Sequence, residues 1–267
     1  MEAAGERPAR VTIAVASGKG GVGKSTIALN LALALAERGA QVGLLDADVY
    51  GPDLPLMVGL TRRLPARSVT LWDRRSTTGP GEEPVERFGI KLMSTQFLVS
   101  EDQPFVWSAL MVDALLDRLV RRIDWGELDF LLVDLPPGTA DVPQRMARLI
   151  PLTKALVVVT PQDASHLDAK KVLAMFDLLG ITVLGGIENM SGMACPHCGE
   201  PLDVFPAVDP HRSIWASGVE RLGAVPLDPA VARAGDRGRP VMVEDPDGPQ
   251  AAAFRALAER VTAESLA

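Results

Sequence analysis

Short apolar segments without polar alternation recur along the chain, and most of them are followed by stretches with helical periodicity. A strand that is buried on both faces gives such a continuous apolar run, and helices between the strands place those strands in parallel. The pattern therefore predicts an α/β fold, doubly wound, with a mostly parallel sheet and helices on both faces. The predicted strands cover residues 11–16, 41–46, 90–93, 130–134, 155–160 and 181–187, with a short strand ending at residue 225. The predicted helices cover residues 25–38, 104–122, 164–179 and 249–265.

Residues 61–88 interrupt this alternation. The segment carries six arginines and a Thr-Thr-Gly-Pro-Gly run, which favours a solvated surface excursion with a hairpin near residues 79–81. No internal repeat and no long linker divides the chain. The sequence therefore predicts a flexible tail over residues 1–10 and a single domain over residues 11–267.

The composition is that of an ordinary globular protein, with 267 residues, 47% apolar residues and 23% charged residues, which excludes intrinsic disorder and collagen-like repeats. The formal net charge is −7 and only 4% of the residues are aromatic, so neither a broad basic surface nor a base-stacking platform is expected. No secretory signal pattern is present, and no apolar run approaches the roughly 18 residues of a spanning helix. We therefore predict a cytoplasmic protein with no nucleic-acid partner and no membrane partner.

The first predicted strand is followed by the sequence GKGGVGKST, which satisfies the phosphate-loop pattern G-x-x-x-x-G-K-[ST]. Glycines let backbone N–H groups turn inward around phosphate oxygens, and the helix that begins at Lys24 adds its positive dipole end. Lys24 can reach the β- and γ-phosphates of ATP, and the Ser25 hydroxyl can coordinate Mg²⁺. The predicted nucleotide-binding residues of this loop are Gly18, Lys19, Gly20, Gly21, Val22, Gly23, Lys24, Ser25 and Thr26.

Aspartates close two of the other predicted strands. Asp46 and Asp48 end the second strand, and Asp134 ends the strand at 130–134. Since the carboxyl ends of parallel strands face the crevice that holds the phosphates, Asp134 fits the role of holding Mg²⁺. Asp48 could orient or deprotonate an attacking water, and it is also a candidate Mg²⁺ ligand.

The two cysteines of the chain, Cys195 and Cys198, form a C-x-x-C pair. Iron–sulfur clusters and structural zinc both require four ligands, and one chain supplies only two thiolates. Two identical loops that meet at a two-fold axis would supply four. A bridging cluster is favoured over a bridging zinc ion. A redox dithiol ranks last, because the residues after Cys198 do not look like the helix that such a pair opens.

These motifs together resemble a known group. GKGGVGKST resembles the deviant phosphate loop of the MinD/ParA/nitrogenase-iron-protein class of ATPases. Within that class the chain closely resembles the Mrp/ApbC family of iron–sulfur cluster carriers, over residues 15–229. The matching segments are VASGKGGVGKST, GLLDADVYGPDLP, GIKLMSTQFL, DQPFVW, WGELDFLLVDLPPGTAD, TPQDASHLDAKK, GGIENMSGMACPHCG and VPLDP.

The resemblance implies roles for residues that the loop pattern does not explain. Lys19 matches the signature lysine, which reaches across a dimer to the partner's ATP. Asp48 matches the switch I aspartate linked to water activation, and Asp134 and Gly138 match switch II, which senses the γ-phosphate. Asn189 matches a position that contacts the adenine.

For the cysteines, the resemblance implies a [4Fe–4S] cluster that bridges the two subunits of a homodimer and is transferred to apo iron–sulfur proteins. The implied activity is slow, Mg²⁺-dependent ATP hydrolysis. A spatial-organising ATPase of the MinD/ParA kind remains an alternative, although it needs a basic amphipathic tail. The tail at 251–267 carries mixed charges and an apolar stripe of Phe254, Leu257 and Val261, which favours a helix docked on the core. A small-molecule kinase would leave Lys19 and the cysteines unexplained.

Overall fold

The computed structural model describes residues 8–60, 83–98, 115, 118–119, 122–139 and 141–266. An eight-stranded sheet forms its centre. Its strands are β1 Val11–Ala16, β2 Val42–Asp46, β3 Val85–Arg87, β4 Ile90–Ser94, β5 Phe130–Asp134, β6 Lys154–Val159, β7 Thr182–Asn189 and β10 Arg221–Val225, and a separate hairpin pairs β8 Met193–Ala194 with β9 Pro201–Leu202. The order of the strands in the sheet is β10-β7-β6-β1-β5-β2-β4-β3, and only its edge pair β3–β4 is antiparallel. The α-helices with assigned bounds are α1 Lys24–Glu37, α2 Leu54–Met57, α3 Asp141–Leu149, α4 Asp163–Leu178, α5 Pro229–Asp236, α6 Val241–Glu244 and α7 Pro249–Leu266.

The central strands are buried on both faces, which explains their continuous apolar sequences. In β1 the side chains of Ile13 and Val15 join one core, whereas those of Ala14 and Ala16 join the other. The first core packs under α1 and α7, and the second lies under α4. This confirms the predicted doubly wound α/β fold with a mostly parallel sheet.

The predicted elements fall within a few residues of the observed ones where the structure describes them. α1 ends at Glu37, and Gly39 follows with a φ of 92°, a conformation that glycine adopts readily at a helix end. Most of the predicted helix 104–122 lies outside the described residues. Within that range the structure describes residues 115, 118, 119 and 122, and the first three of them are helical. The predicted hairpin near 79–81 also lies outside them.

The end of the 61–88 excursion differs from the loop that was expected. Val85–Arg87 forms the edge strand β3, which pairs antiparallel with β4 through a turn at Phe88 and Gly89. Both turn residues have positive φ, 50° and 79°, so the tight reversal depends on this Phe-Gly pair. The alternation of residues 85–87 is too short to predict a strand.

The parallel order brings the carboxyl ends of five strands to one edge of the sheet. The phosphate loop follows β1, the Asp46 carboxyl ends β2, Asp134 ends β5, Gln162 lies just beyond β6, and Asn189 ends β7. Residues that are far apart in the sequence therefore meet in one crevice. None of the described helices has both the length and the apolar composition that are needed to cross a bilayer.

Candidate functional site

The phosphate loop depends on glycines at positions where no side chain fits. Gly23 caps α1 in the left-handed region, with a φ of 83°, and a Cβ there would overlap the amide nitrogen of Asn189. A Cβ on Gly18 would overlap the backbone of Asp168 in α4. The loop is therefore held against α4 on one side and against the end of β7 on the other.

The N–H groups of this loop remain available to a ligand. Within the described part of the chain, no protein acceptor is assigned to the N–H groups of residues 20–23, whereas the Ile27 N–H donates to the Gly23 carbonyl oxygen at 2.9 Å. Unpaired backbone donors at a helix N-terminus attract anions. The loop thus has the donor set that a polyphosphate requires.

Lys24 lies at the centre of the charged groups. Its Nζ is 2.6 Å from Oδ1 of Asp134 and 3.9 Å from Oδ2 of Asp48, and its side chain is only 7% exposed. The Nζ also lies 3.4 Å from the Ser25 hydroxyl oxygen. The lysine, the hydroxyl and the two carboxylates that the sequence singled out therefore meet in one place.

The carboxylates of Asp46 and Asp134, near Lys24, are buried. Burial raises the pKa of Asp134, although the neighbouring Lys24 ammonium opposes that rise. Burial and the negative charge of Asp134 raise the pKa of Asp46 well above its ordinary range, opposed by the hydrogen bond from the Ser94 hydroxyl. Among the described residues, Oδ2 of Asp134 has no hydrogen-bond partner. An unpartnered carboxylate oxygen beside Ser25 fits a Mg²⁺ ion and its waters.

We expect Asp46→Asn to raise the free energy of unfolding at neutral pH, by the order of 1 kcal/mol. A carboxyl whose folded pKa is raised contributes stability below the unfolded pKa of about 3.9, and that contribution is lost as the pH rises through the folded pKa. The variant should therefore show a flatter decline in stability above pH 4 than the parent. Urea denaturation of the metal-free protein between pH 4 and pH 8 measures this decline. An unchanged pH slope would contradict the account of Asp46.

Lys19 makes its contact within its own chain, at the residue just beyond β6. Its Nζ donates to Oε1 of Gln162 at 3.0 Å, and the Thr160 hydroxyl donates to the same oxygen at 3.2 Å. Gln162 directly precedes α4. Gln162 lies in the matching segment TPQDASHLDAKK, and the sequence motifs predict no role for it. Its position just after a buried strand, at the ligand-binding edge of the sheet, was the available signal.

The remaining predicted nucleotide residues border the loop. Gly138, with a φ of 87°, donates its N–H to the carbonyl oxygen of Ser17 at 2.8 Å. Thr26 accepts a bond from Asn30 within α1 at its carbonyl oxygen. Asn189 donates its side-chain amide to the Val22 carbonyl oxygen at 2.8 Å. The predicted adenine contact of Asn189 stays a prediction, but this side chain also supports the phosphate loop.

Cys195 and Cys198 lie in the turn of the β8–β9 hairpin. The Cys195 N–H donates to the Glu200 carbonyl oxygen at 2.8 Å, and the Gly199 N–H donates to the Cys195 carbonyl oxygen at 2.9 Å. Backbone N–H groups of His197 and Cys198, together with the Cys198 thiol, lower the pKa of the Cys195 thiol. Both cysteines are free, and Cys198 is exposed.

One chain does not complete a metal site in the part that the structure describes. No group of three or more His, Cys, Asp and Glu residues lies close enough there to hold a metal ion. The hairpin presents two free thiols, and the pKa of one of them is lowered. The other ligands of a four-coordinate site must come from elsewhere.

The family model that describes the NUBPL iron-transfer P-loop NTPases within the ParA group matches residues 9–262. The iron-sulfur cluster carrier protein of Synechocystis is 41% identical over 250 residues, which are 93% of this chain and 69% of that protein. The mouse iron-sulfur cluster transfer protein NUBPL is 43% identical over 254 residues, 94% of this chain and 76% of that protein.

Solved structures show the same similarity. An Archaeoglobus fulgidus nucleotide-binding protein in complex with ADP is 35% identical and superposes with a TM-score of 0.73, covering 92% of this chain and 93% of that chain. The cell-division ATPase MinD of Pyrococcus furiosus is 25% identical with a TM-score of 0.69, over 97% of this chain and 100% of that chain. The match along almost the entire length, together with the phosphate loop and the cysteine hairpin, shows that this chain belongs to the NUBPL family of iron-transfer P-loop NTPases.

Proposed function

We propose that this protein is an ATP-hydrolysing carrier that holds an iron–sulfur cluster between two copies of the chain and delivers it to apo-proteins in the cytoplasm. The observation that carries the proposal is the cysteine hairpin. It carries two free thiols, of which Cys198 is exposed and Cys195 is half-buried, and backbone N–H groups lower the pKa of the Cys195 thiol. A solvent-accessible pair of sulfur ligands that does not complete a site within one chain suits a cargo that is taken up and passed on.

The nucleotide half of the proposal assigns each charged residue one task. The loop N–H groups and Lys24 bind the phosphates, and Ser25 and Asp134 hold Mg²⁺, directly or through its waters. Bound Mg²⁺ neutralises the phosphate charge and orients the leaving group. Asp48 orients the attacking water, since its carboxylate lies beside Lys24 and is not fully buried.

The incomplete ligand set of the hairpin supports a dimer. Two chains related by a two-fold axis supply four thiolates, the number that a [4Fe–4S] cluster requires. A cluster that binds the dimer and not the monomer stabilises the dimer by mass action. Cluster loading should therefore shift the chain toward the dimer even without ATP.

A MinD-like organiser is a weaker candidate because the apolar stripe of the tail is not available. Phe254, Leu257 and Val261 are 0%, 2% and 0% exposed, and they belong to the core that packs on α1 and β10. An amphipathic helix that binds a membrane needs its apolar face free. The helix α7 instead uses that face to cover the sheet.

Anaerobic reconstitution with iron and sulfide tests the proposed function. We expect a brown protein that contains about four iron and four sulfide ions per two chains, measured by metal and sulfide assays, absorption spectroscopy and native mass spectrometry. Cys195→Ala and Cys198→Ala should each lose the cluster and keep the parental affinity for ATP, because the phosphate loop uses none of their atoms.

His197→Ala is the matched control, since His197 lies in the same turn and contributes only its backbone N–H to Cys195. This variant should keep the cluster. Two results would contradict the carrier function: anaerobic protein that binds zinc alone, or a double cysteine-to-alanine variant that still binds the same iron.

A further inference from the structure

We propose that Asn189 and Met190 are positioning residues that link the phosphate loop to the cysteine hairpin, so that nucleotide binding and cluster binding strengthen one another. The inference rests on the proposed function, because it concerns how the two sites of that function communicate. For Asn189 this task differs from the predicted adenine contact.

The first step is the contact between the end of β7 and the phosphate loop. The buried hydrogen bond from Nδ2 of Asn189 reaches the Val22 carbonyl oxygen at 2.8 Å. The Asn189 amide fills the space that a Cβ on Gly23 would need, and the Met190 methyl lies 3.9 Å from the same point. The two residues therefore pack on a glycine of the loop that has no room for a side chain.

The second step is electronic. The Val22 carbonyl and the Gly23 N–H belong to one peptide group, and no protein acceptor is assigned to that N–H among the described residues. An anion that accepts a bond from the N–H polarises the peptide and strengthens the carbonyl as an acceptor, since hydrogen bonds in a chain reinforce one another. Phosphate in the loop should therefore tighten the bond to Asn189.

The third step is the short, pinned chain from Asn189 to Cys195. Met190 has a φ of 59° and Gly192 a φ of 70°. The Ser191 N–H donates to the Val225 carbonyl oxygen at 3.0 Å, and the Gly192 carbonyl oxygen accepts from the Leu227 N–H at 2.8 Å. The hairpin begins at the next residue, Met193.

Met190 is the non-glycine residue of this connection that has a positive φ. A non-glycine residue with positive φ is uncommon, and for a long side chain it persists only where the surroundings hold it. Here the surroundings are the phosphate loop and the end of β7. A change in how Asn189 contacts the loop should therefore shift the base of the cysteine hairpin, because residues 190–192 form a short connection with little conformational freedom.

Linkage makes this testable, because two coupled ligands change each other's affinity by the same factor. The test compares the dissociation constant of Mg²⁺-ADP for cluster-loaded and cluster-free protein by calorimetry under anaerobic conditions. For the parent chain we expect ADP to bind the loaded protein about 5- to 150-fold more tightly, the usual range of such coupling.

Two variants of Met190 separate the link from every other source of coupling. Met190→Gly keeps positive φ accessible but frees the backbone, whereas Met190→Asn tolerates positive φ and keeps a restricted residue. We expect the preference of ADP for cluster-loaded over cluster-free protein to fall below about twofold in Met190→Gly. In Met190→Asn the preference should stay near that of the parent chain. Dimer formation would couple the two ligands equally in both variants, so the difference between them isolates the link.

The inference would be overturned if the parent chain bound ADP equally well with and without the cluster, or more loosely with it. It would also be overturned if Met190→Gly kept the same preference as the parent, or if both variants lost it. None of these results bears on the carrier function. Failure to take up any cluster would instead reject that function, and the same comparison made with Zn²⁺ bound to the two cysteines would then decide the link.

Discussion

Lys19→Ala is expected to lower the rate of ATP hydrolysis by about 10³-fold or more, with ATP binding largely preserved. A cation that a partner chain supplies to the γ-phosphate is worth this much where an arginine plays the part. The Nζ of Lys19 donates to Gln162 of its own chain, whereas the Nζ of Lys24 is the one that contacts the carboxylates of the phosphate crevice. Its removal should therefore affect turnover in the dimer and not the loop that binds nucleotide. Steady-state turnover and ATP affinity measure the two effects separately.

Mixing subunits shows whether Lys19 acts across the dimer. Lys24→Ala removes the phosphate-binding lysine, so neither variant alone should turn over. A dimer of one Lys19→Ala chain and one Lys24→Ala chain has one complete site, and random mixing should restore about a quarter of the parental sites. Absence of recovery, with heterodimers demonstrated by native mass spectrometry, would count against a role in trans.

Asp48→Asn is expected to lower the rate of ATP hydrolysis by about 10²- to 10⁴-fold, which is the usual contribution of a positioned base. Oδ1 of Asp48 accepts the N–H groups of Tyr50 and Gly51 at 3.2 and 3.3 Å, while Oδ2 faces Lys24. Asparagine has the same shape and can still accept at the turn, so the variant changes the charge beside Lys24 with little change in backbone structure.

Asp48→Ala provides the comparison for that turn. If both variants bind ATP and neither hydrolyses it, the carboxylate charge is what matters. If only Asp48→Ala is inactive, the turn at Tyr50 and Gly51 is what the site needs. Parental turnover in Asp48→Asn would rule out Asp48 as the group that activates water.

Much of the fold could be predicted from the sequence because most strands of the sheet are buried on both faces and therefore give unbroken apolar runs. The strands at 11–16 and 130–134 were predicted with the bounds that the structure shows. The edge strand β3 and the β8–β9 hairpin were not predicted, because Val85–Arg87 and the two-residue strands are too short and too exposed for periodicity to show them.

The candidate site was predictable where a chemical motif was local in the sequence. The phosphate loop and the cysteine pair each occupy a few consecutive residues, and acids at the ends of strands follow from the parallel topology. The contacts of Gln162 with Lys19, and of Asn189 with Val22, could not be predicted in this way. Each of them joins residues more than 140 positions apart, and a single sequence carries no record of such pairs.

The position of β1 in the middle of the sheet has a consequence for biosynthesis. β1 hydrogen-bonds to β5 and β6, and the phosphate loop that follows it is supported by Asn189, 167 residues after Val22. A nascent chain therefore leaves the ribosome with this buried central strand unpaired until at least residues 130–134 have been made. Because long-range pairing is slow and exposed apolar strands aggregate, we expect newly made chains to depend on chaperones until β7 has emerged.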